Sequence, residues 1–156
     1  MIYAGDELGT LNDYSYKMDS AKSHDSRWLH RRKFEWNEVE KLQEVNNPKT
    51  LIYYGIKALI ETRKAIYEGV LVKQEDAMYF SNHHILGFLQ QIEGEEMPTL
   101  LIYNLSEDRQ WIYSSDLKRY GLHGKWLEML QGKCLDLAED KIVLGPYEFF
   151  LLKYKK

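Results

Sequence analysis

The pattern of apolar and polar positions changes twice along this chain, and each regime predicts a different kind of structure. The first regime opens on a short apolar run, Met1-Ile2-Tyr3-Ala4, that ends in Gly5-Asp6-Glu7. This pattern predicts a buried strand that feeds a polar loop at the mouth of a site. From there to about Val45 the chain is crowded with Asp, Ser, Lys, Arg and Tyr and holds no sustained period. It is too long for an ordinary structureless connection and too aromatic for a flexible linker, so an ordered, functional loop is expected. The second regime is a helix. Asn47-Pro48 supplies a capping side chain followed by a proline suited to the first helical position. Ile52, Ile56, Leu59, Ile60, Arg63, Ile66 and Tyr67 then recur at three- and four-residue steps, which builds one largely apolar stripe. Gly69 is the expected stop, and Gly55 within the pattern is expected to allow close packing.

From about Val70 the period changes again. Short runs rich in branched and aromatic residues recur at Ala77 to Ser81, Ile85 to Ile92, Leu100 to Leu105 and Gln110 to Tyr113. Weaker pieces follow near Trp126, Leu135 and Ile142, with a last run from Glu148 to Tyr154. Asn82-His83, Glu93-Gly94 and Ser106-Glu107-Asp108 separate them as turn candidates. Short strands at such spacing predict an antiparallel β-sandwich. A lone strand, loop and helix cannot bury itself, so residues 1–69 read as the last βα unit of a parallel (β/α)8 barrel, and residues 70–156 as a C-terminal β-sandwich domain. In such barrels the loops after the strands carry the site. The expected fold is therefore mainly β, with a barrel remnant in front.

Composition narrows the partners. The net charge is -3 and the pI about 6.0, which gives no electrostatic basis for binding nucleic acid or an anionic membrane. The apolar runs fall far short of a membrane span. The start lacks the basic region and long apolar stretch of an export signal. A lone cysteine, Cys134, rules out an internal disulfide framework and fits a reducing compartment, so a cytoplasmic location is expected for this chain, with no expectation for a longer parent. Aromatic residues make up 13%, a share that serves a β-sandwich core as well as a carbohydrate site. No metal or other cofactor is expected. His83-His84 are adjacent and would face opposite sides of a strand. His24, His30 and Asp25 lack ligand spacing, and nothing places a base beside Cys134.

The stretch Gly5-Asp6-Glu7-Leu8-Gly9-Thr10-Leu11-Asn12-Asp13-Tyr14, with Asp25-Ser26-Arg27-Trp28-Leu29-His30-Arg31, resembles the end of the eighth barrel strand and the following loop in the α-amylase superfamily of glycoside hydrolases. Within it, the Leu-Asn-Asp-Tyr and Asp-Ser-Arg-Trp-x-His-Arg pair is similar to the amylosucrase branch and its sucrose-acting relatives. Those relatives usually continue with Pro-Arg, where this chain has Arg32-Lys33. Leu144-Gly145-Pro146-Tyr147-Glu148-Phe149 is similar to the last strand of the superfamily's C-terminal sandwich, and Trp126 to Gly132 resembles the stretch before it.

The resemblance implies a parent enzyme that cleaves sucrose or an α-glucan with retention, through a carboxylate nucleophile and a carboxylic acid. It places both groups, and a third stabilising Asp, on strands that precede Met1. The chain is accordingly expected to start within a larger enzyme, to hold no catalytic residue and to be inactive alone. The resemblance gives Arg27 a place at the pocket floor, paired with an acid on the preceding part. Asn12, Asp13 and Asp25 are further candidates for touching sugar or holding the loop, and Glu7 is expected to be a structural acid. Two other functions are weighed. One is a stand-alone carbohydrate-binding module using Trp111, Trp126 or Tyr120, and the other is one half of a split glycosidase. The apolar helix stripe, lacking a barrel to cover, predicts a homo-oligomer that buries Ile52, Ile56, Leu59 and Ile60, or else an N-terminal zone folded back onto the sandwich.

Overall fold

The computed structural model describes residues 5–43 and 47–155. It divides into two units between Glu61 and Thr62. The expected opening strand, Met1 to Ala4, lies outside the described residues.

The first unit explains why its sequence shows no period. It is built from short 3-10 turns at Asp6–Leu8, Tyr14–Met18, Ser26–His30 and Lys41–Gln43, with a four-residue helix α1 at Asn37–Glu40. Pieces of three to five residues are too short to write a repeat into the sequence. Aspartate side chains start two of them: Asp13 accepts the Ser15 amide at 2.9 Å and Asp25 the Arg27 amide at 3.0 Å. Glu7 accepts the Gly5 amide at 2.8 Å, the structural use expected of it. Leu8 and Leu42 are the buried apolar anchors.

Helix α2, Pro48–Tyr67, begins as the Asn47-Pro48 pair predicts, with the Asn47 side chain accepting the Lys49 amide at 3.0 Å. It ends before Gly69, whose φ of 74° suits glycine. Gly9 lies against this helix: a Cβ there would stand 2.6 Å from Ile52 Cδ1, and its φ of 57° is the left-handed conformation that favours glycine. Gly55 corrects the expectation of close packing, because a Cβ there would meet nothing within 4 Å. Leu51, Ile52, Tyr54, Leu59 and Ile60 are exposed along the helix.

Glu38 ties α1 to the start of α2. It accepts hydrogen bonds from Lys49 and, at 2.9 Å, from Lys41. Those two ammonium groups, Lys49 first, hold its carboxyl down to about 2 from an ordinary 4.5. A folded value below the unfolded one stabilises the chain fully above pH 4.5, and the contribution is lost as pH falls through about 2. The wild-type chain should therefore lose stability more steeply than Glu38→Gln across that window in acid-titrated thermal melts. Parallel curves would contradict the assignment.

The second unit is a two-layer antiparallel β-structure. Its large sheet has the order β1-β2-β3-β8-β5-β6, and a two-stranded ribbon pairs β4 with β7. The strands are β1 Val72–Met78, β2 Ile85–Ile92, β3 Thr99–Asn104, β4 Gln110–Tyr113, β5 Lys125–Glu128, β6 Cys134–Asp136, β7 Lys141–Leu144 and β8 Phe149–Tyr154, with a short helix α3 at Ser114–Lys118. Alternate residues of β3 and β8, Leu100, Ile102, Phe150 and Leu152, form one core with Trp126, with Ile112, Ile142 and Leu144 of the ribbon, and with Leu117 of α3. The opposite face of the sheet carries a smaller cluster, in which Ile66 and Tyr67 from the last turn of α2 and Val70 pack on Ile92, Leu101 and Leu151. This packing explains why the units divide inside α2, whereas the sequence places its boundary after Gly69.

Two differences from the sequence pattern have physical causes. β1 starts at Val72, not Ala77, and Val72 through Ala77 are exposed. It is an edge strand paired on one side only, and its Lys73, Gln74, Glu75 and Asp76 are the polar residues that keep such an edge from aggregating. Helix α3 went unread because five residues span little more than one turn.

The turn between β7 and β8 stores strain. The Glu148 amide donates to Gly145 O at 3.1 Å, and Tyr147 holds a φ of 52° in the third position, where such a turn ordinarily takes Gly or Asn. The residue is 68% exposed, so little packing compensates. Replacing Tyr147 with glycine removes about 1–2 kcal/mol of left-handed strain and adds about 0.5–1 kcal/mol of unfolded-state entropy. A net gain of about 0.5–1 kcal/mol is expected in urea unfolding, and a loss would show that the tyrosine ring packs on something in the folded state.

Candidate functional site

A cavity of about 490 Å³ opens within the first unit, between the segment from Gly5 to Asn12 and the Ser26–His30 turn with the residues that follow it. That volume falls in the range of small-molecule sites. Two of the four residues singled out by sequence, Asn12 and Arg27, line it together. The other two do not line it. Asp13 and Asp25 instead cap the 3-10 turns that hold the wall, and this is their visible role.

Arg27 is placed by the turn that Asp25 starts. Its Nε donates to both carboxylate oxygens of Asp25, at 2.8 and 3.0 Å. The pair depresses the Asp25 carboxyl below its usual range, chiefly through the Arg27 side-chain hydrogen bond, and raises Arg27 in turn. Both contacts use Nε, so they do not consume the two terminal amino groups. The Arg27 side chain is 74% exposed, which leaves the ion pair screened by water.

Asn12 is tied to the same turn. Its Oδ1 lies 2.9 Å from His30 Nδ1, and the Asp13 amide donates to Leu29 O at 2.9 Å. These two links hold the Leu-Asn-Asp segment beside the Ser-Arg-Trp-x-His segment, although 18 residues separate Asn12 from His30.

The sequence reading missed His30, Arg31, Arg32 and Phe34 as part of this wall. Arg31 stacks over the Trp28 ring, 5.6 Å from its centroid, and Arg32 Nη2 lies 3.3 Å from Glu35 Oε1. The basic run Arg31-Arg32-Lys33 was the signal available. Asp6 is the acid that lines the cavity among the described residues. No group of three His, Cys, Asp or Glu side chains among the described residues is placed to hold a metal ion.

In the second unit, two aromatics expected to be exposed are not. Trp126 is fully buried in the core, and its Nε1 donates to His123 O at 3.0 Å. Tyr120 is half-buried, and its hydroxyl accepts the Tyr79 amide at 2.6 Å. Of the three, Trp111 is the exposed one, at 42%, with Lys141 Nζ 5.9 Å from its ring centroid. His83 and His84 sit in the turn before β2, not on a strand.

No family model matches the chain. Solved structures do share its fold. A Glu-to-Gln variant of AmyP in complex with maltotriose matches 69% of this chain and 22% of that chain, at 19% identity and a TM-score of 0.51. AmyP in complex with maltose matches 70% of this chain and 21% of that chain, at 16% identity and a TM-score of 0.52. The chain thus spans about a fifth of the length of the AmyP structures. At these identities the likeness is one of fold. The second unit is mainly antiparallel β-sheet with one short helix of its own.

Proposed function

We propose that this chain provides one wall of a sugar pocket and the C-terminal β-domain of an α-amylase-superfamily glycoside hydrolase acting on α-glucans or sucrose, without the groups that break the glycosidic bond. The observation that carries the reading is the cavity that brings Asn12 and Arg27 together. These are residues of the motif that resembles the superfamily's eighth-strand loop. The fold shared with AmyP, solved with maltose and maltotriose, supports the α-glucan class.

The chemistry of the wall suits a sugar. The Arg27 fork can donate to vicinal hydroxyls from its terminal nitrogens while Nε stays on Asp25. Phe34 offers an aromatic surface beside it. Bond cleavage with retention needs two carboxyl groups about 5–5.5 Å apart across the scissile bond. Asp6 alone cannot supply both roles. Incubation of the chain with maltotriose or sucrose is expected to leave both intact by product chromatography, and glucose release above the blank would contradict the proposal.

Exposed apolar surface on α2 extends the proposal to assembly: Ile52, Leu59 and Ile60 are expected to be buried between copies or against a catalytic barrel. A monomer mass in sedimentation, with no barrel present, would contradict burial between copies. One observation favours a second reading. Trp111, Tyr113 and Val143 are exposed on β4 and β7, with Trp111 directly opposite Val143. A stand-alone carbohydrate-binding surface there would make starch retention depend on Trp111 and not on Arg27.

A further inference from the structure

We propose that Asn12 acts through His30: it fixes the imidazole in the Nδ1–H tautomer, so that Nε2 accepts a hydrogen bond from a sugar hydroxyl in the cavity. Both residues line that space. Asn12 Oδ1 lies 2.9 Å from His30 Nδ1. An amide oxygen only accepts, so Nδ1 must carry the proton. In a neutral ring the other nitrogen is then an acceptor. His30 Nε2 has no hydrogen-bond partner among the described residues. The segments that carry the pair are fastened next to it, since the Asp13 amide donates to Leu29 O at 2.9 Å. Backbone on both sides therefore holds the contact in place.

The rest of the wall explains why an acceptor matters. Arg27, Arg31 and Arg32 border the cavity, and a guanidinium only donates. The amide oxygen of Asn12 is spent on His30. A sugar hydroxyl that accepts from an arginine still has its own proton to place. A proton left without an acceptor inside a pocket weakens binding. The side chains that can take it are the Asp6 carboxylate, the Thr10 hydroxyl and the His30 ring. The neutral imidazole nitrogen does so without a charge that must first be desolvated. Arg27 and His30 also belong to one five-residue turn, which sets donor and acceptor at a fixed spacing. The ligand half of this inference rests on the sugar-pocket reading; the tautomer does not.

The test is a maltotriose titration of the isotope-labelled full chain at mildly alkaline pH, read from the imidazole nitrogen shifts, with the His30 signals identified by their loss in His30→Gln. Free imidazole side chains favour the Nε2–H form, so an Nδ1–H ring at His30 marks the bond to Asn12. The wild-type chain is expected to show that form, and its Nε2 shift to move saturably with maltotriose. Asn12→Ala should return His30 to the Nε2–H form and weaken binding about three- to tenfold, the range of one neutral hydrogen bond. Asn12→Asp should restore both, because a carboxylate also accepts from Nδ1. An aspartate that keeps the tautomer but not the affinity would overturn the proposal, since it would mark the Asn12 amide as a donor to the sugar itself. An Nε2–H ring in the wild-type chain would overturn it too, as would maltotriose binding that leaves the Nε2 shift unmoved. Those three results leave the sugar reading standing. Absence of any maltotriose binding would overturn the sugar reading and, with it, this use of His30.

Discussion

Trp126→Ala is expected to cost the β-unit about 3–5 kcal/mol, the range for deleting a large aromatic from a packed core. The indole is fully buried on β5, in one cluster with Leu100, Ile102, Phe150 and Leu152 of the large sheet and with Ile142 and Leu144 of the ribbon. It packs edge-on against Tyr154 at 5.6 Å between ring centroids. Truncation removes the side chain that fills the space between the two layers and leaves the His123 carbonyl without its indole donor. Domains are stable by only about 5–15 kcal/mol, so the variant should lose about a fifth of its stability or more. The thermal midpoint should fall by roughly 15 °C or more, since 1 kcal/mol moves a domain of this size by several degrees. A loss below about 1 kcal/mol would show that the layers do not close on this ring.

Asn104→Leu should be nearly as damaging by a different route. Asn104 is 2% exposed at the end of β3. Its Nδ2 donates to Asp108 O and to Gly145 O, both at 2.7 Å, and its Oδ1 accepts the Ser106 amide at 3.0 Å and the Ser106 hydroxyl at 2.8 Å. One side chain therefore fastens the β3–β4 loop to the β7–β8 turn. Leucine keeps the volume and removes every one of those bonds. Each buried group left unsatisfied costs about 1–3 kcal/mol, so a loss of about 3 kcal/mol or more is expected in urea unfolding. The Tyr147 amide, which donates to Ser106 O at 3.0 Å, should also lose hydrogen-exchange protection. Unchanged protection there would place the fastening elsewhere.

The elements that could be read from sequence are those whose apolar residues fill a core between clear turn residues. β2 at Ile85–Ile92 and β4 at Gln110–Tyr113 fall where the pattern puts them. The start of α2 does too, because a capping Asn and an N-terminal Pro act locally. β1 was hidden because an edge strand is chosen for charge, not for alternation. Trp126 was misjudged because exposure of an aromatic depends on which face of its strand meets the second layer, and Lys125-Trp126-Leu127-Glu128 reads either way. There Glu128 is itself buried, its carboxylate accepting the Leu130 and Gln131 amides.

The candidate site was legible to the extent that its motif was. Asn12 and Arg27 meet in one cavity because turns too short to show a period bring them there. Asp13 and Asp25 have the residue type of a sugar ligand and are used as caps, a choice fixed by backbone amides two residues on. Arg31, Arg32 and Phe34 join the wall only through the path of the chain after His30, which no local pattern specifies.

The most direct test of the sugar-pocket assignment is a maltotriose titration followed by amide chemical shifts in the wild-type chain and in Arg27→Ala. The expected result is saturable perturbation confined to residues around the cavity, including Gly5, Thr10, Asn12, His30 and Phe34, and its loss in Arg27→Ala with the melting temperature unchanged. Perturbations centred on Trp111 and Val143, and indifferent to Arg27, would contradict it.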